Sequence, residues 1–244
     1  MNGAVRVVAF AVLVTLGTLG RTQEADGQTM DRMNYLFVMI NDLEHAPRLG
    51  ERPILLEAEA WYGGDYDRLW LKLEGDASTL GPEGEIEAQA LFSRLISPWW
   101  DLQAGVRVDH AWGTGGRTRP HLALALQGLA PYWFEVETSV FMDIDGNVSA
   151  AFTAAYDLLL TQSLILEPEI EVGVSVQDVP EWGIAAGVHD FELGGRLRYE
   201  IRRELAPYVG FVWQRAFGGT ADLRRMGGLP VRDGSLVFGV RAWY

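Results

Sequence analysis

The feature that most restricts this chain is a period of two, sustained from Tyr35 to the last residue. In Arg68-Leu69-Trp70-Leu71-Lys72-Leu73-Glu74 the leucines occupy one face and the charges the other. Leu164, Leu166, Pro168, Ile170 and Val172 alternate in the same way with Ile165, Glu167, Glu169 and Glu171. Successive side chains of a strand point to opposite faces, whereas an amphipathic helix would repeat every 3.6 residues. Strands are therefore expected near 34–45, 53–62, 66–76, 84–96, 98–110, 119–128, 131–143, 147–159, 162–176, 190–202, 206–217 and 234–244. Each has about the 9–11 residues, or slightly more, with which a tilted strand crosses a bilayer. A soluble sandwich also alternates, but it turns its apolar face to a core and its polar face to solvent. Here the polar face is rich in charges of both signs, which suits a wet or ion-paired lumen. The expected fold is all-β: an antiparallel transmembrane β-barrel of about 12 strands.

The connections alternate in length as well. Gly63-Gly64-Asp65, Ser97-Pro98, Gly128-Leu129-Ala130, Leu160-Thr161 and Glu204-Leu205 are tight, and longer segments at 46–52, 77–82, 111–117, 177–189 and 218–233 separate them. The Asp143–Gly146 turn is the exception, short on the long side. Outer-membrane barrels have short periplasmic turns and long external loops, so an even strand count places both termini in the periplasm. Trp61, Tyr62, Trp99, Trp100, Tyr132, Trp133, Phe134, Tyr208, Trp243 and Tyr244 gather at the tight-turn end and are expected to form an aromatic girdle there.

Upstream of the strands, Arg6 precedes an apolar run from Val7 to Leu19, and polar residues follow. That run is too short for a membrane-spanning helix and fits the core of an export signal. The expected organisation is a signal peptide at 1–28, a short periplasmic segment at 29–34 and a barrel at 35–244. No cysteine is present, which excludes disulfides and thiolate metal sites. The net charge of −13 argues against nucleic-acid binding, since a phosphate backbone needs a basic footprint. Lys72 is the one lysine, so arginine supplies nearly all the cationic chemistry.

Several stretches resemble the copper resistance protein B family of bacterial outer-membrane proteins. They are Glu57 to Trp70 (EAEAWYGGDYDRLW), Gln127 to Glu137 (QGLAPYWFEVE), Arg198 to Gly210 (RYEIRRELAPYVG) and Phe217 to Asp222 (FGGTAD). The resemblance implies an outer-membrane barrel that binds copper and works beside periplasmic copper-handling proteins such as a multicopper oxidase. Many family members carry a methionine- and histidine-rich segment after the signal peptide. Here the corresponding stretch is only Met30-Asp31-Arg32-Met33, so weaker or lumen-based copper binding is expected.

Thioether sulfur suits Cu(I), and imidazole and carboxylate suit Cu(II). Met30 and Met33 are the trace of a soft-metal tail, or incidental residues of a linker. Met39 shares a phase with Tyr35, Phe37 and Asn41 and is expected in the lumen; Met142 shares one with Val136 and Val140 and faces lipid. His45, His110, His121 and His189 all fall toward the external end, where they form either a metal-gathering mouth or separate rim residues. Among them His121 is the best placed, by its inward phase. Glu57, Glu59, Glu74, Glu135, Glu137, Glu167, Glu169 and Glu171 take the lumenal phase, opposed by Arg68, Lys72, Arg107, Arg196, Arg198 and Arg202. Such a lining is either an ion-paired filling or an acidic path that concentrates cations. The candidate metal ligands are thus Met30, Met33, Met39, His45, His121, Glu57, Glu59, Glu135 and Glu137. The leading expectation is a copper-binding barrel without a catalytic step; a passive pore and an outer-membrane lipid hydrolase are the alternatives.

Overall fold

The computed structural model describes residues 33–46, 54–79, 81–113 and 115–244. The segment expected to be an export signal, and Met30 after it, lie outside these residues.

Strands follow one another as β1 (Tyr35–His45), β2 (Ile54–Gly63), β3 (Asp67–Ala77), β4 (Gly84–Ser97), β5 (Trp100–Trp112), β6 (Arg117–Ala130), β7 (Phe134–Asp143), β8 (Val148–Ala155), β9 (Leu158–Leu159), β10 (Leu164–Ser175), β11 (Gly187–Tyr199), β12 (Leu205–Ala216) and β13 (Arg232–Trp243). Each pairs antiparallel with its sequence neighbour, except that β8 and β9 both pair with β10, and β13 pairs with β1, which closes the sheet. Closure removes the unpaired edges that hydrocarbon would not tolerate. β8 and β9 form one stave: pairing with β10 stops at Ala155↔Glu169 and resumes at Leu159↔Ile165 in unchanged register. The gap falls opposite Pro168, which has no N–H to give to the ladder. Among the described residues the wall is therefore a closed barrel of twelve antiparallel staves.

Three local expectations change. Gly128 to Ala130 stay in β6, and the chain turns instead at Pro131–Trp133, where Tyr132 and Trp133 both hold φ near 69°. Gly128 serves a close approach rather than a turn, because a Cβ there would lie 2.0 Å from the carbonyl oxygen of Trp99, in the turn that leads into β5. β11 starts at Gly187, earlier than its alternation suggests, and the 218–233 connection contains a helix, α1 (Gly218–Met226). Thr220 of that helix is buried and accepts a hydrogen bond from the Ala185 amide at 2.8 Å.

Leucines, valines and phenylalanines such as Leu69, Leu71, Phe92, Val106, Leu122, Leu124, Val140, Leu236 and Phe238 stay exposed on the outside. That is the face a transmembrane barrel gives to lipid. Met142 is exposed with them, as its phase implies. The interior is partly dry. Trp70, Leu91, Ala123 and Phe141 form a cluster against Trp61 and Ala151, filling the side of the lumen bounded by β3, β4, β6 and β7. Lys72 lies over Trp70 and Arg107 over Phe141, so the cationic stems extend this packing. A second cluster joins Ala46, Val212 and Val237 with Leu55. Tyr208, expected in the girdle, is instead buried in the lumen and donates to Asp42 at 2.6 Å and Glu44 at 3.0 Å. Trp61 also turns inward, stacking on Phe37. Tyr62, Trp99, Tyr132, Trp133 and Tyr244 remain exposed.

Candidate functional site in the lumen

Register decides which lumenal charges meet. Glu57 of β2 stands opposite Glu74 of β3, Glu74 opposite Glu87 of β4, and Glu87 opposite Asp109 of β5. Four carboxylates thus form one row across four adjacent strands. Glu171 of β10 reaches the Glu74 carboxylate electrostatically, and is itself paired opposite Glu192 of β11. Like charges directly opposed across strands destabilise a sheet, so this arrangement carries a cost wherever both partners are ionised.

Arginines and Lys72 compensate only part of it. Arg107 binds Glu87 at 2.5 Å and Asp109 at 2.6 Å. Arg196 gathers Glu44 at 2.6 Å, Glu169 at 2.5 Å and Asp42 at 3.2 Å. Arg198 pairs with Glu167 and with Asp157, and Arg241 also reaches Glu167 at 3.2 Å. Lys72 of β3 spans the interior to Glu137 of β7 at 2.5 Å and Gln127 of β6 at 3.0 Å. Among the described residues no cation lies within ion-pair distance of Glu57, Glu59, Glu74, Glu135 or Glu171; Glu57 accepts from Asn41 Nδ2 at 2.9 Å. Arg202, expected among the lumenal cations, lies exposed in the β11–β12 turn instead, because β11 has already ended at Tyr199.

The candidate ligands separate. Met39 lies opposite Glu59 on β2 and Trp243 on β13, and lines a cavity of about 230 Å³ with Phe37, Arg198, Arg203 and Arg241. Glu137 is held by Lys72 and Ser139, while Glu135 lies within range of Asp157 and Arg241. Met33 is exposed before β1. His45 lies beside Ile54 and Phe238, both exposed on the outer face. A bulge at Asn41 causes this: the register of β1 shifts between Ile40 and Asp42, so that Asp42 and Glu44 point inward and His45 outward. Nothing but two consecutive polar residues, Asn41-Asp42, marks it in the sequence. His121 does point inward and is buried, but Nε2 is bound to Asp109 Oδ2 at 2.9 Å, leaving Nδ1 without a partner. Arg119 and Asp143 pair beside it at 2.7 Å. His110 is exposed on the outside, its Nδ1 2.8 Å from Thr118 Oγ1. The four histidines share the long-loop end of the barrel without meeting. Among the described residues no three His, Asp or Glu side chains converge as a ready-made cation site.

A closed antiparallel sheet, apolar outside and charged within, defines the class: a transmembrane β-barrel of the outer-membrane type. Among solved structures the chain is similar to the NanC porin, with a TM-score of 0.50 at 10% identity over 85% of this chain and 99% of that one. It is also similar to outer membrane phospholipase A from Escherichia coli, with a TM-score of 0.48 at 13% identity over 87% and 92%. The first likeness shows a shared fold and nothing of function. The family model for copper resistance protein B precursors matches residues 34–244. Copper resistance protein B of Escherichia coli is 41% identical over 87% of this chain and 70% of its own length. A copper resistance protein B homolog of Pseudomonas syringae is 40% identical over 77% of this chain and 63% of its own length. The chain belongs to the copper resistance protein B family. It is an outer-membrane protein with a role in copper resistance, in a family defined by that resistance rather than by a catalysed reaction.

Proposed function

We propose that the lumen itself holds or passes copper ions, with both termini and the tight turns on the periplasmic side. The observation that carries this reading is the excess of lumenal carboxylate over cation: in the opposed row Glu57, Glu74 and Glu87, with Glu171 within electrostatic range, only Glu87 has an ion-pair partner among the described residues. A low-dielectric wall lined by one sign of charge focuses the field and concentrates counter-ions. Below this row, Met39 and the opposed Glu59 offer a thioether and a carboxylate to an ion on its way to the cavity that Met39 lines. Glu135 and Glu137 lie nearer the same end, Glu137 already engaged by Lys72. His121, tied to Asp109, acts through the wall rather than as a free ligand. Periplasmic copper-handling proteins, such as a multicopper oxidase, are the partners that the family resemblance implies.

The test is copper bound per refolded chain, by elemental analysis after dialysis, with zinc as competitor. Selective retention of copper is expected. Equal retention of zinc and copper, or of neither, would make the molecule a passive barrel.

A further inference from the structure

We infer that His189 and Asp190, at the external mouth beneath α1, form the first docking point for a divalent transition-metal ion, with Arg224 as an exchangeable counter-ion. This rests on the lumenal reading above and adds a site to it.

The register between β10 and β11 runs Gly173↔Asp190 and then Val174↔Val188, so His189 is the extra residue of a β-bulge. A bulge re-aims a side chain that strict alternation would send to the other face. The His189 ring lies directly on Gly173, where a Cβ would come 2.4 Å from Cε1 and 2.8 Å from Nε2; any other residue at 173 would displace it. Neither ring nitrogen makes a hydrogen bond to a described residue, in contrast to His110 and His121. The neighbouring Asp190 has one carboxylate oxygen, Oδ1, buried without a hydrogen bond. Its nearest cation is Arg224 Nη2 of α1, at 3.7 Å, too long for a tight pair. Glu171 lies within electrostatic range of Asp190 and continues the acidic lining inward. A borderline dication prefers imidazole with carboxylate, and waters fill the remaining positions. Two protein ligands hold an ion weakly, which a mouth that must release it inward requires. Arg224 supplies the positive charge that the site keeps when no metal is there.

The probe is Cu²⁺ alone, titrated into the full refolded protein in detergent, read by equilibrium dialysis and by nitrogen hyperfine coupling in the electron spin resonance spectrum. The native protein is expected to show coupling to imidazole nitrogen. His189→Ala removes that coupling and weakens the tightest Cu²⁺ binding by about tenfold or more, while His45→Ala leaves both unchanged. Arg224→Gln tightens binding roughly two- to fivefold by removing a competing cation, a sign that a merely structural arginine would not give. Heat-modifiable migration confirms that each variant is folded. Copper binding by the native protein with no change in His189→Ala overturns this site and leaves the lumenal reading standing. No copper binding by the native protein overturns both.

Discussion

Glu74→Gln separates a functional carboxylate row from a structural one. Glu74 stands directly opposite Glu57 and Glu87, with Glu171 facing it and no ion pair among the described residues. Each opposed like-charge pair costs roughly 0.2–1 kcal/mol. Relieving two of them should stabilise the metal-free barrel by about 1 kcal/mol, while glutamine keeps the shape and the hydrogen-bonding capacity of the side chain. Copper retention should change in the opposite sense, falling by about tenfold for the loss of one charge of a low-dielectric cluster. The assay is urea unfolding of the refolded barrel, followed by tryptophan fluorescence, beside copper retention on the same preparation. A rise in the urea midpoint together with weaker copper binding is the expected pair. A lower midpoint with unchanged copper would refute the reasoning, because Glu74 would then be a satisfied part of the wall.

Leu71→Arg places a charge on the lipid face, where Leu71 lies exposed between Ala60 and Ala90; it should cost about 2–4 kcal/mol and impair heat-modifiable folding. Arg196→Met leaves Asp42, Glu44 and Glu169 without their common partner, and should destabilise the barrel by about 3–5 kcal/mol in the same urea assay. Met39→Ala should lower retention of Cu(I) under reducing conditions while the barrel stays folded; unchanged retention would remove Met39 from the path.

Much of the wall was legible in the chain because alternation is local. Leu71 against Lys72, or Leu166 against Glu167, assigns lipid and lumen faces without knowledge of any neighbour. Where alternation breaks, the reading broke with it. The bulge at Asn41 carries Asp42 and Glu44 inward to Arg196 and Tyr208, and turns His45 out. The aromatic at 208 reads as girdle until its hydroxyl is seen to serve two carboxylates. Gly128 reads as a turn until the close approach of β5 explains it.

By itself the sequence determined the class of fold, the strand number and, away from bulges and turns, the phase of the charged residues, since period, segment length and turn spacing are properties of contiguous residues. The family resemblance was also carried by contiguous motifs. Only the tertiary structure decided which charges neutralise one another. Lys72 and Glu137 meet across the lumen from strands far apart in the chain, and the row Glu57, Glu74 and Glu87 exists only through register between strands. Pairing across a closed sheet depends on shear and bulges, each of which shifts every later neighbour by a residue, and a one-residue shift exchanges lumen for lipid. The same physics singles out His189: a bulge and a facing glycine bring its ring into the mouth of the barrel, while His121, in perfect phase, is spent on Asp109.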